Sequence, residues 1–222
     1  MIDLGASQPF ASGYNRHCFR HPDDPLLCLK VLRPENIEAR YQRQPLAKKL
    51  LGKRRIDDNA QELKAHQQSA IQRLLSQGHA ETVWQHLPRF HGSQPTTLGH
   101  ANVSELLLDD QQQPAPTLEQ YLQRRGFDQP MADAVRRFCH WLQHTGILTR
   151  NLLPHNLVIV TRNHQPELFL VDGLGAPTIP DKLAALPAWR QRYIARRIQR
   201  FYRRIEWELG DRAHSWEQSQ KL

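Results

Sequence analysis

Between residues 146 and 175 the chain has to fold back on itself within a short span, and this constrains what can surround it. A polar, turn-prone segment over residues 150–156 carries Asn151, Pro154 and Asn156. An apolar run follows, Leu157-Val158-Ile159-Val160. Then come a polar break over residues 161–167 and a second run, Leu168-Phe169-Leu170-Val171, that ends on Asp172-Gly173. Two short β-prone runs joined by a polar turn predict a hairpin. Hairpin geometry places Asn156, just before the first strand, close to Asp172, just after the second. An amide oxygen beside a carboxylate suits a Mg²⁺ ion that keeps several waters and bridges phosphates.

The stretch Gly146-Ile147-Leu148-Thr149-Arg150-Asn151-Leu152-Leu153-Pro154-His155-Asn156-Leu157 resembles a degenerate protein-kinase catalytic loop, and Asp172-Gly173 the remnant of the Asp-Phe-Gly motif. Kinases carry His-Arg-Asp with an Asn five positions later. Here Thr149 stands in the His place, Asn151 in the Asp place, and Asn156 at the expected spacing. The chain is more closely similar to the small bacterial kinase-like family named after YrbL, a protein of the PhoP regulatory network. The shared features run from Cys28-Leu29-Lys30-Val31 through Gln61-Glu62-Leu63-Lys64 to the hairpin.

The resemblance implies an α+β, two-lobed protein-kinase-like fold. Residues 1–108 form an antiparallel-sheet N-lobe with the hinge. Residues 109–222 form a minimal helical C-lobe with the degenerate loop and a basic C-terminal helix. The fifty residues after Asp172 are too few for a full protein-kinase C-lobe. The resemblance also assigns roles. ATP and Mg²⁺ are the implied cofactors, with Lys30 and Glu62 positioning the nucleotide and Asn156 and Asp172 holding the metal. Gly13 lies in the loop over the phosphates, where kinases carry three glycines. The carbonyl of Glu105 and the N–H of Leu107 face the adenine edge, with Ser104 as gatekeeper. Asn151 takes the place of the catalytic base. It accepts no proton but can orient a hydroxyl.

The residues themselves leave other readings open. Lys30 also reads as an edge-strand lysine with its tip in water. Glu62 stands three residues after Asn59, the spacing of a capping box, so the ion pair and the cap compete for one carboxylate. The strand over residues 101–108 reads equally as a core strand with one polar face.

The coarse pattern predicts strands over residues 1–6, 16–20 and 26–32, a polar connector over 33–58, and one helix over 59–77. A further strand begins in Leu87-Pro88-Arg89-Phe90-His91-Gly92. Thr117 and Gln120 form a capping box at the start of a helix. Residues 131–144 form a buried helix, apolar at helical spacing. His140 and His144 sit one turn apart on it, without the Glu that a zinc-protease helix needs. Residues 176–188 are proline-broken. A helix over 189–209 carries Ile194, Ile198, Phe201 and Ile205 on one face, with arginines around that stripe.

The net charge of +8 suits a polyanion such as an anionic glycan, a lipid surface or nucleic acid. Arg196, Arg197, Arg200 and Arg203 are the candidate contacts, against the alternative of a solvated face. No apolar run approaches the ~18 residues of a membrane span, and no signal-peptide pattern is visible. Three separated cysteines suit reduced thiols, so a cytoplasmic setting is expected. Three functions stay open: an atypical kinase or nucleotidyl transferase acting on a hydroxyl, such as one in an anionic envelope glycan; a pseudokinase acting as a regulatory partner; and a basic nucleic-acid-binding protein. Lys30, Glu62, Asn156 and Asp172 argue against the last, which needs none of them.

Overall fold

Alternation along Leu27-Cys28-Leu29-Lys30-Val31-Leu32 sends Leu29 and Val31 to one face of a strand and Cys28 and Lys30 to the other. In the computed structural model, which describes residues 1–45, 52, 56–176, 186–212 and 215–216, that division organises the first of two units. This unit comprises Met1–Gln67 and Pro88–Leu106; the second comprises Gln68–Leu87 and Leu107–Leu222. Residues 68–87, read from sequence as part of the N-lobe, thus belong with the second unit, and the later boundary falls at 106 rather than 108.

The first unit is built on five antiparallel strands: β1 (Ala11–Ser12), β2 (Arg16–Arg20), β3 (Leu27–Leu32), β4 (Phe90–Thr96) and β5 (Gly99–Glu105). Their order across the sheet is β1-β2-β3-β5-β4. Leu29 and Val31 pair with Val103 and Ala101 and close a core with Leu4 and Phe19. Lys30 lies opposite Cys18 on one side and Asn102 on the other, so these three share the second face.

Several expectations are corrected here. Residues 1–6 form no strand beside β2. Ile2 instead bonds to Pro95 O and to the N–H of Thr97, while the strand that pairs with β2 is β1. Part of the polar connector is helical: α1 (Pro34–Gln42) starts on a proline and buries no residue, so it carries no apolar stripe to betray it. The connector's Lys48, Lys49, Lys53, Arg54 and Arg55 lie outside the described residues. The single helix over 59–77 is two, α2 (Asp58–His66) and α3 (Ser69–Ser76). Gln68 breaks it by turning extended and clasping Leu148, accepting from its N–H at 2.7 Å and donating to its carbonyl at 3.4 Å. The strand read as running to residue 108 ends at Glu105.

The second unit continues with α4 (Ala80–Trp84), α5 (Leu118–Arg125), α6 (Gln129–Thr145), a 3₁₀ turn (Pro154–Asn156), β6 (Leu157–Arg162), β7 (Gln165–Leu170) and α7 (Pro187–Leu209). α5 opens on the capping box that the sequence shows, Thr117 accepting from the Gln120 N–H and Gln120 from the Thr117 N–H. α6 buries Met131, Ala134, Val135, Phe138, Trp141 and Leu142, the helical period read above. β6 and β7 pair from Leu157↔Leu170 to Arg162↔Gln165. Asn163 and His164, both at positive φ (50° and 61°), close the hairpin as a two-residue primed turn demands. The α+β class is as expected, and among the described residues no helix is long and apolar enough to cross a membrane.

Candidate functional site

Lys30 does not reach water. Its Nζ lies 2.6 Å from Glu62 Oε1, while Arg16 Nη1 lies 2.7 Å from Glu62 Oε2, and all three side chains are less than a tenth exposed. α2 makes this possible by presenting Asn59 and Glu62, one turn apart, towards β3 and β5. Asn102 Nδ2 donates to Glu62 Oε2 and to Asn59 O, each at 3.0 Å. Asn59 Nδ2 donates to Lys30 O at 2.9 Å and His100 O at 3.2 Å. Burial alone would raise the Glu62 carboxyl. The Lys30 ammonium, the Arg16 guanidinium and the Asn102 amide outweigh it and hold the group well below the usual carboxylate range. Of the two readings of Glu62, the ion pair is realised and the cap is not: Asp57 is the N-cap of α2, accepting from the Ala60 N–H at 2.9 Å.

In the second unit the loop and the hairpin end are tied at Gly173. Its carbonyl accepts the N–H of Arg150 at 2.8 Å and of Asn151 at 3.2 Å, and the Thr149 hydroxyl at 2.8 Å. Gly173 itself sits at φ +82°, and a Cβ there would stand 2.5 Å from Asn151 O. Asn156 donates its Nδ2 to Asn151 O at 2.9 Å, and its own carbonyl accepts the Val171 N–H at 2.9 Å. The hairpin therefore brings the Asn156 backbone beside the residue preceding Asp172, as its spacing implies. Asp172 Oδ1 accepts from the Gly173 N–H at 2.6 Å. With its nitrogen donating to Asn151 O, the Asn156 amide has its oxygen left as acceptor. One amide oxygen and one carboxylate are hard donors that fit Mg²⁺ shared with phosphate. Among the described residues no group of three or more His, Cys, Asp or Glu could hold a metal ion.

Residues 2–210 match the family described as PhoP regulatory network protein YrbL. The chain belongs to this family. The YrbL proteins of Escherichia coli and Shigella flexneri, both described as uncharacterized, are each 24% identical over 212 residues, covering 92% of this chain and 86% of theirs. Among solved structures, the kinase domain of Mycobacterium tuberculosis PknI as a double mutant matches with a TM-score of 0.41 and 14% identity over 79% of this chain. A single-mutant form of that domain matches with a TM-score of 0.37 and 14% identity over 78%. This chain spans 62% and 61% of those two kinase domains.

In this member of the YrbL family the remaining candidates are placed as follows. Glu105 closes β5, donating its N–H to Arg89 O at 2.8 Å while its carboxylate accepts the Arg89 N–H at 3.1 Å. Leu107 is buried and its carbonyl accepts the Ala115 N–H at 2.9 Å. Ser104 is buried opposite Cys28. Asn151 is exposed, and His155 Nδ1 lies 3.7 Å from Glu119 Oε1. Of the four arginines put forward for a polyanion, Arg196 and Arg203 are exposed. Arg197 and Arg200 are half-buried, their guanidinium groups 5.0 Å from the Tyr193 ring and 5.8 Å from the Trp216 ring. Two residues to which the sequence assigns no role belong to the first cluster, Arg16 and Asn102, while Thr149, in the place of the kinase His, bonds Gly173 O. A polar Asn102 between the apolar Ala101 and Val103 was the available signal.

Gly13 is in an exposed turn, its N–H donating to Arg16 O at 2.8 Å. Its φ is not positive, and a Cβ would come only within 3.8 Å of Arg16 O. Gly13→Ala is therefore expected to raise stability by about 0.4–1 kcal/mol, through the unfolded chain, as read by the denaturation midpoint. A loss of stability would show that this turn needs its glycine.

Proposed function

We propose that this chain is a protein-kinase-like protein that binds ATP together with Mg²⁺. The observation that carries the reading is the buried Lys30–Glu62 pair at 2.6 Å. A lysine on the third strand, withdrawn from water and held by a helix carboxylate, does no work as a solvated edge residue. Kinases use such a pair to set a cation against the nucleotide's phosphates. Arg16 adds a second cation on the same carboxylate.

In the second unit, Asn156 and Asp172 are the residues that would hold Mg²⁺, which when bound neutralises charge on the phosphate oxygens. Asn151 can orient an acceptor hydroxyl through its amide but takes no proton. His155 is engaged towards Glu119. Phosphoryl transfer to a hydroxyl is accordingly slow in this reading, short of a kinase by the ~10²–10⁴-fold that general base catalysis supplies, and binding dominates its role. The family's place in the PhoP regulatory network fits a nucleotide-responsive regulatory protein.

The test is equilibrium binding of ATP with and without Mg²⁺ to wild type and Asp172→Ala. Wild type should need the metal, and the variant should lose at least about tenfold in Mg²⁺-ATP affinity, the scale reached when metal ligation is disturbed. Equal affinity in the variant would remove the metal assignment.

A further inference from the structure

α7 reaches the back of the candidate loop through Tyr193. The Tyr193 hydroxyl donates to Thr149 O at 3.0 Å and accepts from Arg197 Nε at 2.8 Å. Thr149 is the residue whose hydroxyl holds Gly173 O at 2.8 Å. A single run of hydrogen bonds thus leads from Arg197 through Tyr193 and Thr149 to the carbonyl that ties the loop to the hairpin end.

The geometry leaves the phenol no alternative. It has one proton to give; with a guanidinium donating to its oxygen, that proton goes to Thr149 O. Tyr193 is 7% exposed, its ring stacks on Trp189 at 5.0 Å between centroids, and the Arg197 guanidinium lies 5.0 Å from the ring centroid. A phenylalanine would fill the same space. What it would lack is the bond to Thr149 O, so the hydroxyl serves orientation rather than packing. The charged donor on the phenol oxygen also polarises its O–H and strengthens the bond it makes.

We propose that Tyr193, oriented by Arg197, is a positioning residue for the candidate site. It fixes Thr149, and through Thr149 the Gly173 crossing that sets Asn151 and Asp172. Arg197, which the sequence offers as an outward polyanion contact, is then used inwards. The functional consequence rests on the nucleotide-binding reading; the effect on the loop does not.

Hydrogen exchange of the Arg150 and Asn151 amides, both bonded to Gly173 O, tests this in Tyr193→Phe, Arg197→Met and Tyr202→Phe, the last removing a hydroxyl elsewhere on α7. Exchange at 150 and 151 should rise roughly three- to tenfold in Tyr193→Phe, the range set by the net worth of one hydrogen bond. It should rise less in Arg197→Met and not at all in Tyr202→Phe. The Ile159 amide, bonded to Pro116 O, should stay unchanged in all three. Mg²⁺-ATP affinity should fall by a similar factor in Tyr193→Phe. Unchanged exchange at 150 and 151, or a rise that includes Ile159 equally, overturns the positioning role. A wild type that binds no ATP overturns the nucleotide reading instead and leaves the exchange result standing.

Discussion

Glu62→Ala is expected to lower stability by about 3–5 kcal/mol, the cost of breaking a buried ion pair from one side. Lys30 and Arg16 share its two oxygens at 2.6 and 2.7 Å, so the variant brings two buried cations together without the carboxylate between them. In a chain of this length the loss corresponds to a fall of roughly 6–20 °C in melting temperature. Glu62→Gln keeps the shape and can still accept from Asn102, so its loss should be smaller. Acid dependence separates charge from packing. The folded carboxyl titrates below its unfolded value of 4.5. Its contribution is therefore complete above that pH and is lost as the pH falls towards the folded value. Wild type should lose this part of its stability below about pH 4.5, whereas Glu62→Gln should lack it. Equal stability of wild type and Glu62→Gln at pH 7 would mean that the cluster is held by packing.

Gly173→Ala is the second large effect. Two costs combine there: a left-handed backbone at φ +82°, and a Cβ 2.5 Å from Asn151 O and 2.9 Å from Asn151 Cβ. The first is worth about 1–2 kcal/mol. The second cannot be relieved by a rotamer, since one offending atom is backbone, and adds about 1–3 kcal/mol. Gly78→Ala isolates the difference, because Gly78 has a similar φ of +79° with nothing within 4 Å of its Cβ position. Chemical denaturation should show Gly173→Ala well below Gly78→Ala. Equal losses would show that the crossing yields without cost and is not the fixed point of the loop.

How far the sequence reveals this arrangement depends on the range of the rule involved. The Thr117–Gln120 capping box, the α6 period and the hairpin are local, and each is written in a few adjacent residues. The Lys30–Glu62 pair spans 32 positions and was legible only because the resemblance named both partners. Arg16 was not, since an arginine at the start of a strand carries no mark of the helix that will cover it. The sequence left the cap open because Asp57 and Asn59 both suit that place, which Asp57 takes. The break at Gln67 and Gln68 had no proline or glycine to announce it; tertiary bonds to Leu148 overrode local propensity. Tyr193 lies 44 positions from Thr149, and in the sequence it is one more aromatic residue beside an Ile/Phe stripe.

The account stands most directly on calorimetric titration of ATP into wild type and Lys30→Met, each with and without Mg²⁺. Lys30→Met leaves Glu62 paired with Arg16, so the variant should stay folded with a melting temperature close to that of wild type. The expected result is Mg²⁺-dependent binding by wild type and its loss in Lys30→Met. Nucleotide affinity that is absent from wild type, or unchanged in a folded Lys30→Met, would contradict the account.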